Sequence, residues 1–180
     1  MCGIFGSINV NDWNSLEFII DHARRRGRDS SGLIAYSNAG NYDCVRADYD
    51  IKRLKRSELD LIKSSIAVFG HSRLITDGFL DNQPVIRDNI FVIHNGIITN
   101  SESFWQDHPN MIRKLTIDSE IINALTAEYL KKTQDLGGLA DYIFDRTEGA
   151  ISAIIGVPKL GKIALISNNG SLFYSLKDEG

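Results

Sequence analysis

The 180-residue chain has few cysteines and no long apolar run, and each scarcity excludes a class of protein. Its two cysteines, Cys2 and Cys44, are too few for a disulfide framework or for a metal cluster of their own. No apolar run approaches the roughly 20 residues that cross a bilayer, so we expect no membrane partner. The chain has 23 acidic and 20 basic residues, and its net charge of −3 offers no basic field for a nucleic acid.

Length and composition favour one folded domain. A chain of 180 residues fits one domain and is too short for two of full size. Hydrophobic residues make up 43% and charged residues 24%, which excludes intrinsic disorder. The first residues lack the basic and apolar regions of a signal peptide, so we expect a cytoplasmic protein whose thiols stay free.

Runs with β-propensity alternate with runs at helical spacing. The predicted strands cover 3–10, 32–37, 42–49, 65–70, 84–87, 90–94, 150–157, 162–167 and 171–176. The predicted helices begin at Trp13 with Asn11 or Asp12 as N-cap, cover 51–64 with or without a loop, begin near Asp118, and cover 139–144. The pair Asp88–Asn89 is a hairpin signal. This order predicts a layered α+β domain with mostly antiparallel sheets.

Cys2 is the first candidate for chemistry because of its position. Removal of Met1 would leave Cys2 with both a thiol and a free α-amine. An α-amine titrates near ~7.7–8.0 and a thiol near ~8.5, so the amine can act as base and the thiol as nucleophile. Gly3 would leave the backbone beside the thiol open to substrate. The alternative is that Cys2 is an ordinary second residue, as we expect Cys44 to be an ordinary strand residue.

Three further segments carry candidate polar groups. The pair Asn95–Gly96 predicts either a tight turn or an oxyanion hole formed by a side-chain amide and a backbone N–H. Arg73 follows a buried strand and either forms a surface salt bridge or presents its planar fork to a carboxylate. Asp118 either caps a helix or holds an ammonium group. His71 and His94 flank the candidate site, and we expect both to stabilise strands or loops rather than to transfer protons.

A nucleophile with its own base, two oxyanion donors, a cation and an anion together suit an amino acid that carries a side-chain amide. Glutamine has this chemistry. No spacing of residues suggests a metal site, and the reaction needs no cofactor.

The motifs resemble those of class II glutamine amidotransferases, whose glutaminase domains are N-terminal-nucleophile hydrolases. They occur in family order over nearly the whole chain, so chance similarity is a poor explanation. The matching segments are Met1 to Gly6, Arg26 to Gly32, Gly70 to Arg73 with Thr76, Asn82 to Pro84, His94 to Asn100, Asp118 to Glu120, and Gly149–Ala150.

The resemblance implies a four-layer αββα sandwich and a role for each matching residue. The implied roles are Cys2 as nucleophile, Asn95 and Gly96 as oxyanion hole, Arg73 with Thr76 for the α-carboxylate of glutamine, Asp118 for its α-amine, and Arg26 and Asp29 as supports of the site. The implied reaction is hydrolysis of glutamine to glutamate and ammonia through a cysteinyl thioester. Leu74 and Asp77 stand where the sugar-phosphate synthase branch carries tryptophan and histidine, which either argues against that branch or indicates a different loop over the glutamine.

Residues 1–180 are predicted to be one glutaminase domain without an acceptor domain, so ammonia would go to a separate synthase or to a missing part of a longer protein. Two other functions stay open. One is an N-terminal-nucleophile amidohydrolase that acts on another amide. The other is a catalytically silent domain that binds glutamine or serves as a scaffold.

Overall fold

The computed structural model describes residues 2–8, 12–37, 41–74 and 81–176. The strands are β1 (Gly3–Ile8), β2 (Ser30–Tyr36), β3 (Tyr42–Ala47), β4 (Ala67–Arg73), β5 (Val85–Arg87), β6 (Ile90–Ile98), β7 (Gly149–Val157) and β8 (Lys162–Ser167). The helices are α1 (Trp13–Arg24), α2 (Ile51–Ser57), α3 (Leu59–Ser64), α4 (Ser101–Asp107), α5 (Glu120–Leu130) and α6 (Leu139–Phe144). No helix among these residues is both long enough and apolar enough to cross a bilayer.

The strands form two antiparallel sheets that pack face to face with helices on both outer sides. The first sheet has the order β1-β4-β2-β3 and the second has the order β5-β6-β7-β8. Apolar side chains from both sheets form an inter-sheet layer, where the rings of Phe69 and Phe91 lie 5.9 Å apart. Two further cores join the first sheet to α1, α2 and α3, and the second sheet to α4, α5 and α6. The predicted αββα sandwich is confirmed.

Local sequence accounts for two of the predicted elements. Asp12 accepts a hydrogen bond from the backbone N–H of Ser15 at 3.0 Å, which caps α1 as predicted. Asp88 and Asn89 have φ angles of 53° and 57°, as the central residues of a primed hairpin turn require. The hairpin predicted at this pair therefore joins β5 to β6.

Other elements differ from the prediction. Helix α4 was not predicted, whereas the division of the predicted 51–64 helix into α2 and α3 fits the alternative of a helix with a loop. The predicted strand over 171–176 is wrong, because this segment is irregular. The Oδ1 atom of Asn169 accepts hydrogen bonds from the Ser171 backbone at 3.0 Å and from the Ser152 hydroxyl at 2.9 Å. The first of these bonds occupies the Ser171 N–H, which a strand in this segment would use for pairing.

Candidate active site

Cys2 lies where β1 begins, beside the end of β4. Gly3 is paired with Ser72, so Cys2 comes next to the last residue of β4. The Nε atom of Arg26 donates a hydrogen bond to the Cys2 carbonyl oxygen at 3.0 Å. The Cys2 Sγ atom lies 3.8 Å from the carbonyl oxygen of Leu74. The end of α1 and the end of β4 therefore hold the half-buried Cys2 between them.

Two glycines allow α1 to approach these strands closely. A Cβ atom at Gly3 would overlap the carbonyl oxygen of Ala23, at the end of α1. A Cβ atom at Gly27 would overlap the backbone of Arg73. Helix–strand packing thus requires Gly3, a reason separate from the approach of a substrate that the sequence suggests.

Arg73 is the last residue of β4, and it is only 9% exposed. This burial does not fit a surface salt bridge, which was one of the two interpretations of Arg73. Its Nη1 atom donates to the carbonyl oxygen of Asp81, and its own carbonyl oxygen accepts from the Asp29 N–H at 2.9 Å. Asp81 in turn accepts a hydrogen bond from the Thr116 hydroxyl at 2.7 Å. The other predicted carboxylate ligand, Thr76, lies outside the described residues.

Asn95 and Gly96 lie inside β6, so the tight turn predicted as one alternative is wrong. Asn95 is paired with Ser152 and Gly96 with Ile151 on β7. Asn95 shares its strand face with Phe91 and Ile93, which belong to the inter-sheet layer. Its Oδ1 atom is buried and has no hydrogen-bond partner within the described parts of the chain.

Gly96 is required by its backbone conformation as well as by space. Its φ angle is +156°, which side chains rarely adopt, and a Cβ atom would overlap the carbonyl oxygen of Ala150 on β7. Only glycine therefore lets β6 pass this point in register with β7.

Asp118 binds the end of β6 and does not cap a helix. Its Oδ2 atom accepts a hydrogen bond from the Ile98 N–H at 2.8 Å. Helix α5 has Ser119 at its N-cap, without a side-chain capping bond. The Oδ1 atom of Asp118 lies 3.3 Å from the Ser119 hydroxyl and 3.9 Å from Nδ1 of His94. The capping interpretation is wrong, and the carboxylate stays 26% exposed beside the Asn95-containing strand.

Gln83 is a structural residue of the site, although the sequence alone indicates no role for it. Its Oε1 atom accepts from the His94 backbone N–H at 2.6 Å, and its Nε2 atom donates to the His94 carbonyl oxygen at 3.0 Å. The same Nε2 atom donates to the Ser119 hydroxyl at 3.3 Å. Gln83 thereby ties β6, next to Asn95, to the start of α5. Its only sequence signal was the motif Asn82 to Pro84.

The two histidines differ in their surroundings. His94 Nδ1 lies 3.0 Å from the Ser119 hydroxyl, and burial lowers the pKa of the ring although Asp118 opposes this effect. The expected stabilising role of His94 is consistent with these contacts. His71 is fully buried, and burial, followed by Arg73 and His94, lowers its pKa to about 3. Neither ring nitrogen of His71 has a hydrogen-bond partner among the described residues. His71 was expected to stabilise strands or loops, and no hydrogen bond of its ring supports that expectation.

The tertiary fold brings most of the candidate residues to one end of the sandwich. Strands β1 and β4 both pack against β6. Alternation along β4 and β6 puts Arg73 and Asn95 on the faces that meet in the inter-sheet layer, and Cys2 directly precedes β1 beside the end of β4. Asp118 lies at the end of β6, while Arg26 and Asp29 contact the backbones of Cys2 and Arg73. The arrangement combines a thiol, a buried guanidinium group and a side-chain amide.

Comparison with known proteins identifies relatives of the chain. The chain is 30% identical over 165 residues to the glutamine–fructose-6-phosphate aminotransferase of Buchnera aphidicola. Its fold matches the glutamine phosphoribosylpyrophosphate amidotransferase of B. subtilis, with a TM-score of 0.67, 21% identity and coverage of 87% of this chain and 35% of that chain. Sequence and fold place the chain in the class II glutamine amidotransferase family.

A class-II glutamine aminotransferase domain protein from Silicibacter pomeroyi has the same fold, with a TM-score of 0.51 and 19% identity. That match covers 79% of this chain and 71% of the other. No protein-family model matches the chain.

This class II amidotransferase chain corresponds to only part of its larger relatives. The Buchnera match covers 86% of this chain but 27% of the relative. That relative uses a sugar phosphate according to its name, so the comparison does not support the expectation drawn from Leu74 and Asp77.

Proposed function

We propose that the domain hydrolyses the side-chain amide of glutamine to glutamate and ammonia, with Cys2 as the nucleophile. The observation that carries the proposal is the position of Cys2. Arg26 and β4 hold it at the end of the inter-sheet layer, on which the buried Arg73 and the side chain of Asn95 also lie.

The proposed first step forms a thioester. Once Met1 is removed, the α-amine of Cys2 takes the thiol proton, directly or through a water, and the thiolate attacks the carboxamide carbon. The amide of Asn95 and the N–H of Gly96 would stabilise the oxyanion, and one such donor lowers a barrier by about 3 kcal/mol. The α-ammonium group then returns the proton to the departing ammonia. Water cleaves the thioester and releases glutamate.

The proposed substrate contacts divide between the two charged ends of glutamine. Arg73, with Thr76, would bind the α-carboxylate, and its planar fork suits that group. Asp118 would bind the α-ammonium group with the part of its carboxylate that remains exposed. Arg26 and Asp29 would keep Cys2 and Arg73 in place through the backbone contacts described above.

The ammonia acceptor is proposed to be a synthase domain or a separate synthase. The two larger relatives support this proposal, since one is named for fructose-6-phosphate and the other for phosphoribosylpyrophosphate. Because these acceptors differ, isolation of the native protein with any bound synthase is the experiment that would identify the acceptor. We also propose a cytoplasmic location, which fractionation of the source cells would test.

Cys2→Ala is the direct test of the nucleophile, and Cys44→Ala is its matched control. Cys44 lies on β3, where burial raises the pKa of its thiol and keeps it a poor nucleophile. We expect Cys2→Ala to lose ammonia release from glutamine while keeping the wild-type melting temperature, and Cys44→Ala to keep the activity. Ammonia release by Cys2→Ala at the wild-type rate would refute the mechanism. Equal rates with glutamine and asparagine would instead indicate a different amide substrate.

A further inference from the structure

His71 is a buried polar side chain to which the proposed mechanism gives no role. It lies in the middle of the first sheet, paired with Ile4 on β1 and with Gly32 on β2. Its exposure is 0%, and neither ring nitrogen has a hydrogen-bond partner in the described parts of the chain. A neutral imidazole carries one donor and one acceptor, and buried polar groups in folded proteins are almost always paired with protein or with water.

The ring lies at the boundary between the apolar layer and the candidate site. Ala67 and Phe69 pack in the inter-sheet layer, so His71 and Arg73 continue the same face of β4. Towards Ala67 its neighbours on that face are apolar, and towards Arg73 they are polar. A ligand of His71 would therefore lie at the inner end of the site.

Cys2 is the diagonal neighbour of His71 across the β1–β4 pair. Ile4 is opposite His71, and continuing the register one residue beyond the Gly3–Ser72 pair puts Cys2 on the face of Ile4. Diagonal neighbours in an antiparallel pair have Cα atoms about 7–8 Å apart, so the thiol and the ring belong to the same end of the site. The thiol itself is directed to the Leu74 carbonyl oxygen, 3.8 Å away.

We propose that His71 binds and orients the water that hydrolyses the γ-glutamyl thioester on Cys2, an inference that rests on the proposed function. A ring nitrogen, which has no other hydrogen-bond partner within the described chain, accepts one hydrogen of this water, and the other hydrogen faces the Cys2 α-amine. The water oxygen then presents its lone pairs to the thioester carbonyl.

The step balances with groups that are already present. The water oxygen bonds to the carbonyl carbon, the carbon–sulfur bond breaks, and one water proton passes through the Cys2 α-amine to the departing sulfur. The products are the free thiol and the side-chain carboxyl group of glutamate, which then ionises. His71 remains neutral because burial lowers its pKa to about 3, so it orients the water without taking its proton.

His71→Phe tests the proposal because phenylalanine has a similar size and no ring nitrogen. We expect the first turnover, read as a burst of ammonia, to keep its wild-type rate. We expect steady-state glutamate release to fall about 10- to 100-fold, since misplacement of a reactant by 1 Å has effects of this size. The γ-glutamyl enzyme should then accumulate in mass spectra of quenched samples. Hydroxylamine, a nucleophile that does not need the water site, should restore turnover by forming the hydroxamate.

His71→Gln and Phe69→Leu are the matched controls. Glutamine keeps a donor and an acceptor, so His71→Gln should recover much of the steady-state rate. Phe69→Leu disturbs the same strand face two residues away without removing a polar group, and it should not accumulate the thioester. A burst and a steady state that fall together in His71→Phe, or a lack of rescue by hydroxylamine, would overturn the role of His71 alone. No ammonia release by the wild type would overturn the proposed function, and this inference with it.

A crystal structure of the wild type tests the site independently of whether His71→Phe folds. The proposal expects an ordered water within hydrogen-bond distance of a His71 ring nitrogen on the side of Cys2. Ring nitrogens that both bond to protein atoms would overturn it.

Discussion

Acidification from pH 7 to pH 5 should destabilise the protein through His71. Burial, with the neighbouring Arg73 and His94, lowers the pKa of His71 from its ordinary value of 6.5 to about 3 in the folded protein. Between pH 6.5 and pH 3, His71 therefore binds a proton in the unfolded chain but not in the folded protein. Stability contributed by this ring is complete above that pH and is lost as the pH falls towards 3.

The expected loss follows from linkage. Each pH unit between the two pKa values costs about 1.4 kcal/mol, so the change from pH 7 to pH 5 removes about 2 kcal/mol of unfolding free energy. Burial also lowers the pKa of His94, so the unfolding free energy of the wild type should fall by more than the part that His71 contributes. The measurement must therefore isolate His71.

Urea denaturation at pH 7 and at pH 5, followed by circular dichroism, makes this separation with His71→Phe. The fall in unfolding free energy should be about 2 kcal/mol smaller in His71→Phe than in the wild type. Phe69→Leu, a core variant on the same strand face, should keep the full wild-type fall. An equal fall in the wild type and in His71→Phe would show that His71 is not held neutral, and the reasoning from its burial would be refuted.

Three other variants test the contacts of the site. Asp118→Asn keeps an oxygen for the Ile98 N–H but loses the charge, so the KM for glutamine should rise with little change in Tm, and an unchanged KM would count against the ammonium role. Gln83→Ala leaves the backbone N–H and carbonyl of His94 unpaired, so urea denaturation should show a loss of about 2–4 kcal/mol, and a loss under 1 kcal/mol would contradict the clamp. Gly96→Ala would place a methyl group against a carbonyl oxygen of β7, so ammonia release should be lost, and wild-type kinetics would show that β6 tolerates a side chain there.

The resemblance of motifs made part of the site predictable. Arg26 was expected to support the site because its motif resembles one of the family. In the structure its Nε atom donates a hydrogen bond to the Cys2 carbonyl oxygen. The side-chain partners of Asp118 were not predictable, because its bond to Ile98 joins residues 20 positions apart and depends on where β6 ends. The role of Gln83 was not predictable for the same reason, because its side chain acts through hydrogen bonds to the backbone of His94 on β6.

The sequence by itself determined the features that depend on near neighbours. Periodicity and Asp12 set the start of α1, and the Asp88–Asn89 pair set the hairpin, because helix caps and primed turns are decided within a few residues. Only the tertiary structure decided the pairing of β1 with β4 and the extension of β6 through Asn95–Gly96. Those features depend on hydrogen bonds between strands far apart in the chain, and a dipeptide that often turns stays extended when both of its neighbours are paired. The burial of His71 beside Cys2 was also decided by the tertiary structure, because only the second sheet determines which face of β4 is covered.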